Sequence, residues 1–179
     1  MSPSDSTPAD AGASPSSPDA SVPRRKVGLS ESAVAGDDAL LVTSGLGSCL
    51  GIAVYHPETG VGGLLHAMLP AADGRPGVDE KYVEEGVAAL VEAVVDAGGD
   101  STALRAKMAG AAEMIEFDRT GGGDSVGRRN VAAARAALDA RGIPLVAADT
   151  GGDRGRSLRF ETRSGRLHVS YAGGETVVL

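Results

Sequence analysis

The chain has 179 residues, of which 42% are hydrophobic but only 3% aromatic, with no tryptophan. This length suits one hydrophobic core, and the composition makes it a core of Val, Leu, Ile and Ala side chains. The formal net charge of -7 would repel a nucleic-acid backbone, so nucleic acid is a poor candidate partner. Because no run of about 20 apolar residues occurs, we expect no membrane insertion.

Residues 1–24 are rich in Ser, Pro and Asp and contain almost no large apolar side chains. Ordering such a segment costs conformational entropy without compensating burial, so the sequence predicts a disordered tail. Residues 25–179 are predicted to form one folded domain. Arg24, Arg25 and Lys26 form a basic cluster at this boundary, which either contacts an acidic partner or, as such clusters more often do, is a solvated start to the domain.

The remainder alternates between strand and helix patterns. A Gly-rich turn covers 44–49, a hairpin connection with Pro57 and Gly60 covers 56–60, and helices are predicted from Asp79 to Gly98 and from a Ser125 cap to Gly142. Several strands flank two helices with hairpin-length connections, which favours an α+β fold over a doubly wound parallel sheet. The predicted strands cover 27–29, 40–43, 51–55, 61–69, 104–108, 145–148, 158–162, 167–171 and 176–179.

Cys49 is the single cysteine, which excludes an intramolecular disulfide and a zinc site built on paired cysteines. This usage, together with an N-terminus that lacks a secretory signal pattern, predicts a cytoplasmic location. A lone cysteine is more often a buried core residue than a reactive one. Here, however, it ends a turn of small residues that leaves its sulfur accessible. The backbone N–H groups near Gly47, Ser48 and Cys49 can then converge as an oxyanion hole.

The hairpin connects the strand that follows Cys49 to the strand that contains His66, so these two strands lie side by side. Leu64, His66 and Met68 share one face of the latter strand, and alone a histidine between Leu and Met is more often a hydrogen-bonded core residue. Paired with Cys49, it is a candidate base, because an adjacent imidazole raises the thiolate fraction and later protonates the leaving group. Thr43 ends the preceding strand, where it can orient the imidazole as the third member of a Cys-His triad. His56 and His168 do not share this arrangement, and the spacing of the three histidines predicts no metal site.

Two segments carry a family resemblance: residues 43–49, Thr-Ser-Gly-Leu-Gly-Ser-Cys, and residues 62–70, Gly-Gly-Leu-Leu-His-Ala-Met-Leu-Pro. They resemble the signature segments of the CheD family of chemoreceptor glutamine deamidases. Later segments are similar to that family's motifs in the same order. These are Leu104 to Met108 with Gly110 and Met114, Gly127-Arg-Arg-Asn130, Gly142-Ile-Pro144, and Asp149-Thr-Gly-Gly152 followed by Gly155-Arg156.

The resemblance covers nearly everything from Val27 onward, with some departures. The family commonly shows a phenylalanine and paired glycines where residues 109–111 are Ala-Gly-Ala, and an alanine where Leu65 stands. The tail and the Gly121-Gly122-Gly123 insertion are not family features. None of these departures touches the Thr43, Cys49 or His66 positions.

The resemblance implies a layered sandwich of mostly antiparallel β-sheet with two main helices. It also implies deamidation of glutamine side chains, the future methyl-accepting glutamates, in the cytoplasmic helices of chemotaxis receptors. The site would be Cys49, His66 and Thr43, with no cofactor and no metal, and some relatives also hydrolyse the methyl ester. The alternative is a binding module that mainly regulates CheC, the chemotaxis phosphatase to which family members bind.

Two other motifs carry weaker signals. Gly45 and Gly47 resemble the start of a dinucleotide fingerprint, but the third glycine is displaced and a strand pattern follows where a helix is needed. Asp149-Thr150-Gly151 matches the aspartic-protease triplet, which requires two copies, whereas the chain has one. We interpret residues 149–155 as a Gly-rich turn.

Overall fold

The computed structural model describes residues 22–36, 38–113 and 123–179. Its helices are α1 (Val83–Asp96) and α2 (Val126–Asp139), and a short 3-10 helix, Asp79–Lys81, precedes α1. The strands are β1 (Arg24–Lys26), β2 (Glu31–Ala35), β3 (Leu40–Leu46), β4 (Leu50–Tyr55), β5 (Gly62–Ala67), β6 (Arg105–Gly110), β7 (Leu145–Thr150), β8 (Arg156–Glu161), β9 (Leu167–Tyr171) and β10 (Thr176–Val178).

The strands form two sheets of five strands each. The outer sheet has the order β1-β3-β8-β9-β10, and the central sheet has the order β2-β5-β4-β6-β7. The pairs β1–β3 and β6–β7 are parallel, and the other pairs are antiparallel. The predicted α+β sandwich of mostly antiparallel sheet with two main helices is therefore confirmed.

Two apolar cores separate three layers. Alternate residues of β4 point to opposite faces, as the pleat requires. Leu50, Ile52 and Val54 pack with the helices, whereas Ala53 and Tyr55 pack against the outer sheet. The central sheet is thus covered by helices on one face and by the outer sheet on the other.

The helices present narrow apolar stripes to the central sheet. Buried residues of α1 recur at helical spacing, as do those of α2. Ser125 caps α2 as predicted, because its Oγ accepts a hydrogen bond of 3.2 Å from the backbone N–H of Arg128. No helix among the described residues has both the length and the apolar character needed to cross a membrane.

Some sequence predictions were wrong. The predicted strand at 27–29 does not form, because Leu29 and Ser30 make a turn and Ser30 has a φ of 58°. Strand pairing occurs instead on either side of this turn, in β1 and β2. Charged edge strands such as β1 lack the apolar alternation used to recognise strands. Asp149 and Thr150 complete β7 rather than starting a turn.

Most of the predicted tail, residues 1–21, lies outside the described residues, as do Met114, Gly121 and Gly122. Arg24, placed at the end of the tail by the sequence, is the first residue of β1. The preceding Pro23 carbonyl accepts a hydrogen bond of 2.9 Å from the Leu40 N–H. Within the described residues, the first strand therefore coincides with the basic cluster.

Candidate active site

The segment between β3 and β4 carries the chain from the outer sheet to the central sheet. We call residues 47–49, Gly-Ser-Cys, the crossing segment. A β-bulge precedes it, since Thr43 pairs with Leu158 but Leu46 already pairs with Arg156. Bulges bend a strand and re-aim its side chains. Here the bulge lies just before the last outer-sheet pair, Leu46 with Arg156, after which the chain turns toward β4.

Cys49 and His66 lie on the same face of the central sheet. His66 is directly opposite Gly51 in the β4–β5 ladder, and Cys49 precedes Gly51 by one pleat repeat. Cys49 itself precedes the paired residues of β4, but it packs against the apolar cluster that contains Leu64 of β5, so it lies on the same side of the sheet as His66. Gly51 contributes no side chain between them, and a Cβ there would meet Leu158 Cδ1 at 2.2 Å.

Thr43 approaches His66 from the opposite sheet. Its Oγ1 lies 2.8 Å from His66 Nδ1, and either atom can donate, depending on the imidazole tautomer. When Nδ1 carries the proton, it donates to Thr43 and leaves Nε2 with a free lone pair. Thr43 and His66 are only 3% and 2% exposed, whereas Cys49 is half-buried. The hydrogen-bonded pair is thus shielded, while Cys49 as a residue is less buried.

Burial favours the uncharged form of both Cys49 and His66. Desolvation raises the pKa of the Cys49 thiol above its ordinary value, an effect that its own backbone N–H opposes. Desolvation also lowers the pKa of His66, because it disfavours the imidazolium. His66 Nε2 is buried and hydrogen-bonds to none of the described residues, the thiol included. Both pKa shifts favour a thiol and a neutral imidazole over a preformed ion pair.

The carbonyl groups of the crossing segment are all hydrogen-bonded. Gly47 O accepts from Ala112 N at 2.7 Å, Ser48 O from Asn130 Nδ2 at 3.0 Å, and Cys49 O from Ala111 N at 2.8 Å. In a planar trans peptide, the N–H of the next residue points opposite to the carbonyl. The N–H groups of Ser48 and Cys49 therefore point away from the donors that hold those carbonyls.

The N–H groups of the crossing segment have no such partners. Those of Gly47, Ser48 and Cys49 donate to no backbone or side-chain acceptor outside their own residue within the described ranges. Unpaired N–H groups beside a half-buried cysteine are available to donate to a tetrahedral oxyanion.

Sequence reasoning missed the groups that anchor this segment. Asn130 was noted only as part of a motif, although its position offers a signal. It lies on the buried stripe of α2 with Gly127, Ala134 and Leu138, where a polar side chain must find partners. The backbone N–H groups of Ala111 and Ala112 give no sequence signal, because any non-proline residue supplies one.

The other candidate groups have structural partners. His56 Nδ1 accepts from the backbone N–H groups of Glu58 and Thr59 within the hairpin, and His168 Nε2 lies 2.8 Å from Glu161 Oε1. Asp149 bonds the buried Arg156 at 3.1 Å and accepts from the Tyr171 hydroxyl. It is therefore engaged in a structural network rather than paired with a second carboxyl group.

The remaining motifs do not form ligand sites. The Gly45–Gly51 segment leads into β4 and not into a helix, so it lacks the helix N-terminus that binds pyrophosphate. Across the part of the chain that the structure describes, no group of three or more His, Cys, Asp or Glu side chains is placed to hold a metal ion.

Comparison with known proteins identifies the family. Residues 68–171 match the family model described as "CheD chemotactic sensory transduction". This match begins just after His66 and contains Asn130, whereas alignments with individual relatives extend over more of the chain. The chain is 44% identical over 170 residues to "Probable chemoreceptor glutamine deamidase CheD" of Haloarcula marismortui, covering 94% of this chain and 97% of the relative.

Bacterial relatives show the same likeness. The chain is 38% identical to "Chemoreceptor glutamine deamidase CheD" of Bacillus velezensis, covering 86% of this chain and 95% of the relative. It is also 38% identical to the protein of that name from Thermotoga maritima, covering 84% of this chain and 94% of the relative. With the family model and near full-length relatives in agreement, the chain belongs to the CheD family.

Proposed function

We propose that this protein is a cysteine-dependent amidohydrolase that converts glutamine side chains of chemotaxis receptors to glutamate. One observation carries the proposal: the Thr43 hydroxyl holds His66 at 2.8 Å on the face that also bears Cys49, where the crossing segment leaves N–H groups free. These are the parts that acyl transfer requires, namely a nucleophile, an oriented base and oxyanion donors.

In the first half-reaction, His66 Nε2 takes the proton of Cys49 as Sγ attacks the carboxamide carbon. The tetrahedral oxyanion is stabilised by the N–H groups of the crossing segment. His66 then protonates the departing nitrogen, the C–N bond breaks, and ammonia leaves a thioester on Cys49.

In the second half-reaction, His66 takes a proton from water, whose oxygen attacks the thioester carbon. The C–S bond breaks, Cys49 regains a proton from His66, and the substrate leaves with a glutamate side chain. No redox change occurs, and each step uses groups already named. Because burial favours the uncharged forms of Cys49 and His66, proton transfer accompanies attack.

The substrate and its location follow from the family. Relatives are named as chemoreceptor glutamine deamidases. We therefore propose that the carboxamides belong to the receptors' cytoplasmic helices and that the protein acts in the cytoplasm. A CheC-type phosphatase remains a proposed partner, and binding of purified phosphatase to the native chain and to Cys49→Ala would test it separately from catalysis.

The activity is tested by incubating a receptor cytoplasmic fragment with the native chain, Cys49→Ala or Cys49→Ser. Ammonia release and peptide mass spectrometry report conversion of glutamine to glutamate. We expect conversion by the native chain only. Equal conversion by Cys49→Ala would contradict the proposal, whereas Arg129→Ala, a surface change on α2, is expected to retain the native rate.

A further inference from the structure

Asn130 connects the crossing segment, which contains Cys49, to the chain just after β5, the strand that carries His66. It is fully buried on α2, and its Nδ2 group donates to Ser48 O at 3.0 Å and to Met68 O at 3.0 Å. One acceptor immediately precedes Cys49, and the other belongs to Met68, the first residue after β5. Because both acceptors are carbonyls, the two N–H groups of the carboxamide must face them, which fixes the side-chain orientation.

The two hydrogen bonds form where the β4–β5 ladder ends. The last paired residues are Leu50 and Ala67, and the next rung would join Cys49 to Met68. Instead, the Met68 N–H donates to Lys81 O at 2.9 Å, so this rung is open on the β5 side. Asn130 bridges the diverging strands at this point, which fixes their spacing beside the nucleophile.

The same contact sets the direction of a backbone N–H. Asn130 draws the Ser48 carbonyl toward α2, and the planar peptide then directs the Cys49 N–H to the opposite side. Resting on the proposed function, we propose that Asn130 is a positioning residue. It holds the Cys49 N–H in place to receive the oxyanion and holds Cys49 at its working distance from His66.

This role predicts more than a loss of stability. Asn130→Asp keeps the size of the side chain but replaces the donor with a carboxylate, and Asn130→Ala removes it. We expect both to reduce kcat by roughly a hundredfold, since a displacement of about 1 Å has that effect on rate. KM for the receptor fragment should change little, because Asn130 is buried away from a bound substrate.

A second readout does not depend on deamidation. The Cys49 N–H favours the thiolate of its own residue, so its reorientation should slow alkylation of Cys49 by iodoacetamide several-fold at a fixed pH. This measurement separates the two proposals. If the native chain fails to deamidate the fragment, the proposed function falls, but the alkylation rates still test the position of Asn130.

Val131→Ala, one residue along α2, is the matched control. It trims a partly buried side chain without touching the crossing segment, and we expect native kcat and alkylation rates after correction for the folded fraction. A loss in Val131→Ala equal to that in the Asn130 variants would contradict the proposal, as would native kcat and alkylation in folded Asn130→Asp. If neither Asn130 variant folds, hydrogen exchange is measured on the native chain instead. Slow solvent exchange of both Nδ2 protons supports the bridge, and fast exchange contradicts it.

Discussion

Burial of His66 and Cys49 determines which protonation states the resting site holds. His66 Nε2 makes no hydrogen bond to the Cys49 thiol, so a thiolate and imidazolium at these positions would lack the short contact that stabilises such a pair most. Desolvation is the main influence on both groups, and it favours the neutral forms of the proposed base and the proposed nucleophile. The Thr43 hydroxyl suits this state, because it bonds a neutral imidazole without adding a charge.

The depressed pKa of His66 predicts the acidic limb of the pH–rate profile. Protonation of His66 removes the proposed base, and burial disfavours that protonation. The pH at which kcat/KM falls to half its maximum on the acidic side should therefore lie below the ordinary histidine pKa of about 6.5. Activity is thus retained to lower pH than an exposed histidine would allow. His168→Gln, which changes a histidine remote from the site, should leave the limb in place. A midpoint above 6.5 would contradict this assignment.

Thr43→Val tests the orienting hydrogen bond. Valine retains the shape of threonine but cannot bond Nδ1, which leaves the imidazole free to rotate or change tautomer. We expect kcat to fall roughly tenfold to a hundredfold, which is less than the loss expected when a general base is removed entirely. Thr43→Ser retains a hydroxyl and should keep most of the activity. Steady-state kinetics on the receptor fragment would measure both, and a native rate in Thr43→Val would rule out the orienting role.

At the scale of secondary-structure elements, the turn after β6 holds the crossing segment in place. Gly110 has a φ of 124° and Ala111 a φ of 55°, and this left-handed turn presents two successive N–H groups to the carbonyls of Gly47 and Cys49. Gly110 also has no room for a side chain, since a Cβ there would lie 2.5 Å from Cys49 O. The end of one strand therefore fixes the start of another.

Gly110→Ala should displace Cys49, and Gly98→Ala is its matched control. Gly98 has a φ of 106° but nothing within 4 Å of its Cβ position, so alanine there adds backbone strain alone. We expect strain of about 1 kcal/mol or more in both variants. Only Gly110→Ala should also lose about tenfold or more in deamidation rate. Denaturant unfolding and kinetics would compare them, and equal rates in the two variants would argue against this contact.

Local patterns predicted some elements better than others. The β4–β5 hairpin was recognisable because Pro57 and Gly60 interrupt two apolar strands, and the structure confirms that pairing. The strands β1 and β2 were missed because they are short and carry charged or small residues. The 3-10 helix before α1 was also absorbed into the predicted helix, since its first acidic residues fit either structure.

For the whole molecule, the site depends on how the layers pack. Thr43 belongs to the outer sheet, His66 to the central sheet and Asn130 to a helix, so three layers meet at the crossing segment. Hydrophobic periodicity in the sequence assigns a residue to one face of its strand or helix. It does not determine which residues of another layer that face contacts. The Thr43 and His66 positions were therefore proposed from strand ends and family motifs, whereas the bridging role of Asn130 required coordinates.

The central claim is that Cys49 attacks the glutamine carboxamide and carries the acyl group. Its most direct test is rapid quenching of the reaction between the native chain and a glutamine-containing receptor fragment, followed by mass spectrometry of the Cys49 peptide. We predict a transient thioester at Cys49, intercepted by added hydroxylamine as a glutamyl hydroxamate, and absent in Cys49→Ser. Deamidation at the native rate without any adduct at Cys49, or hydroxamate formation that persists in Cys49→Ser, would contradict the account.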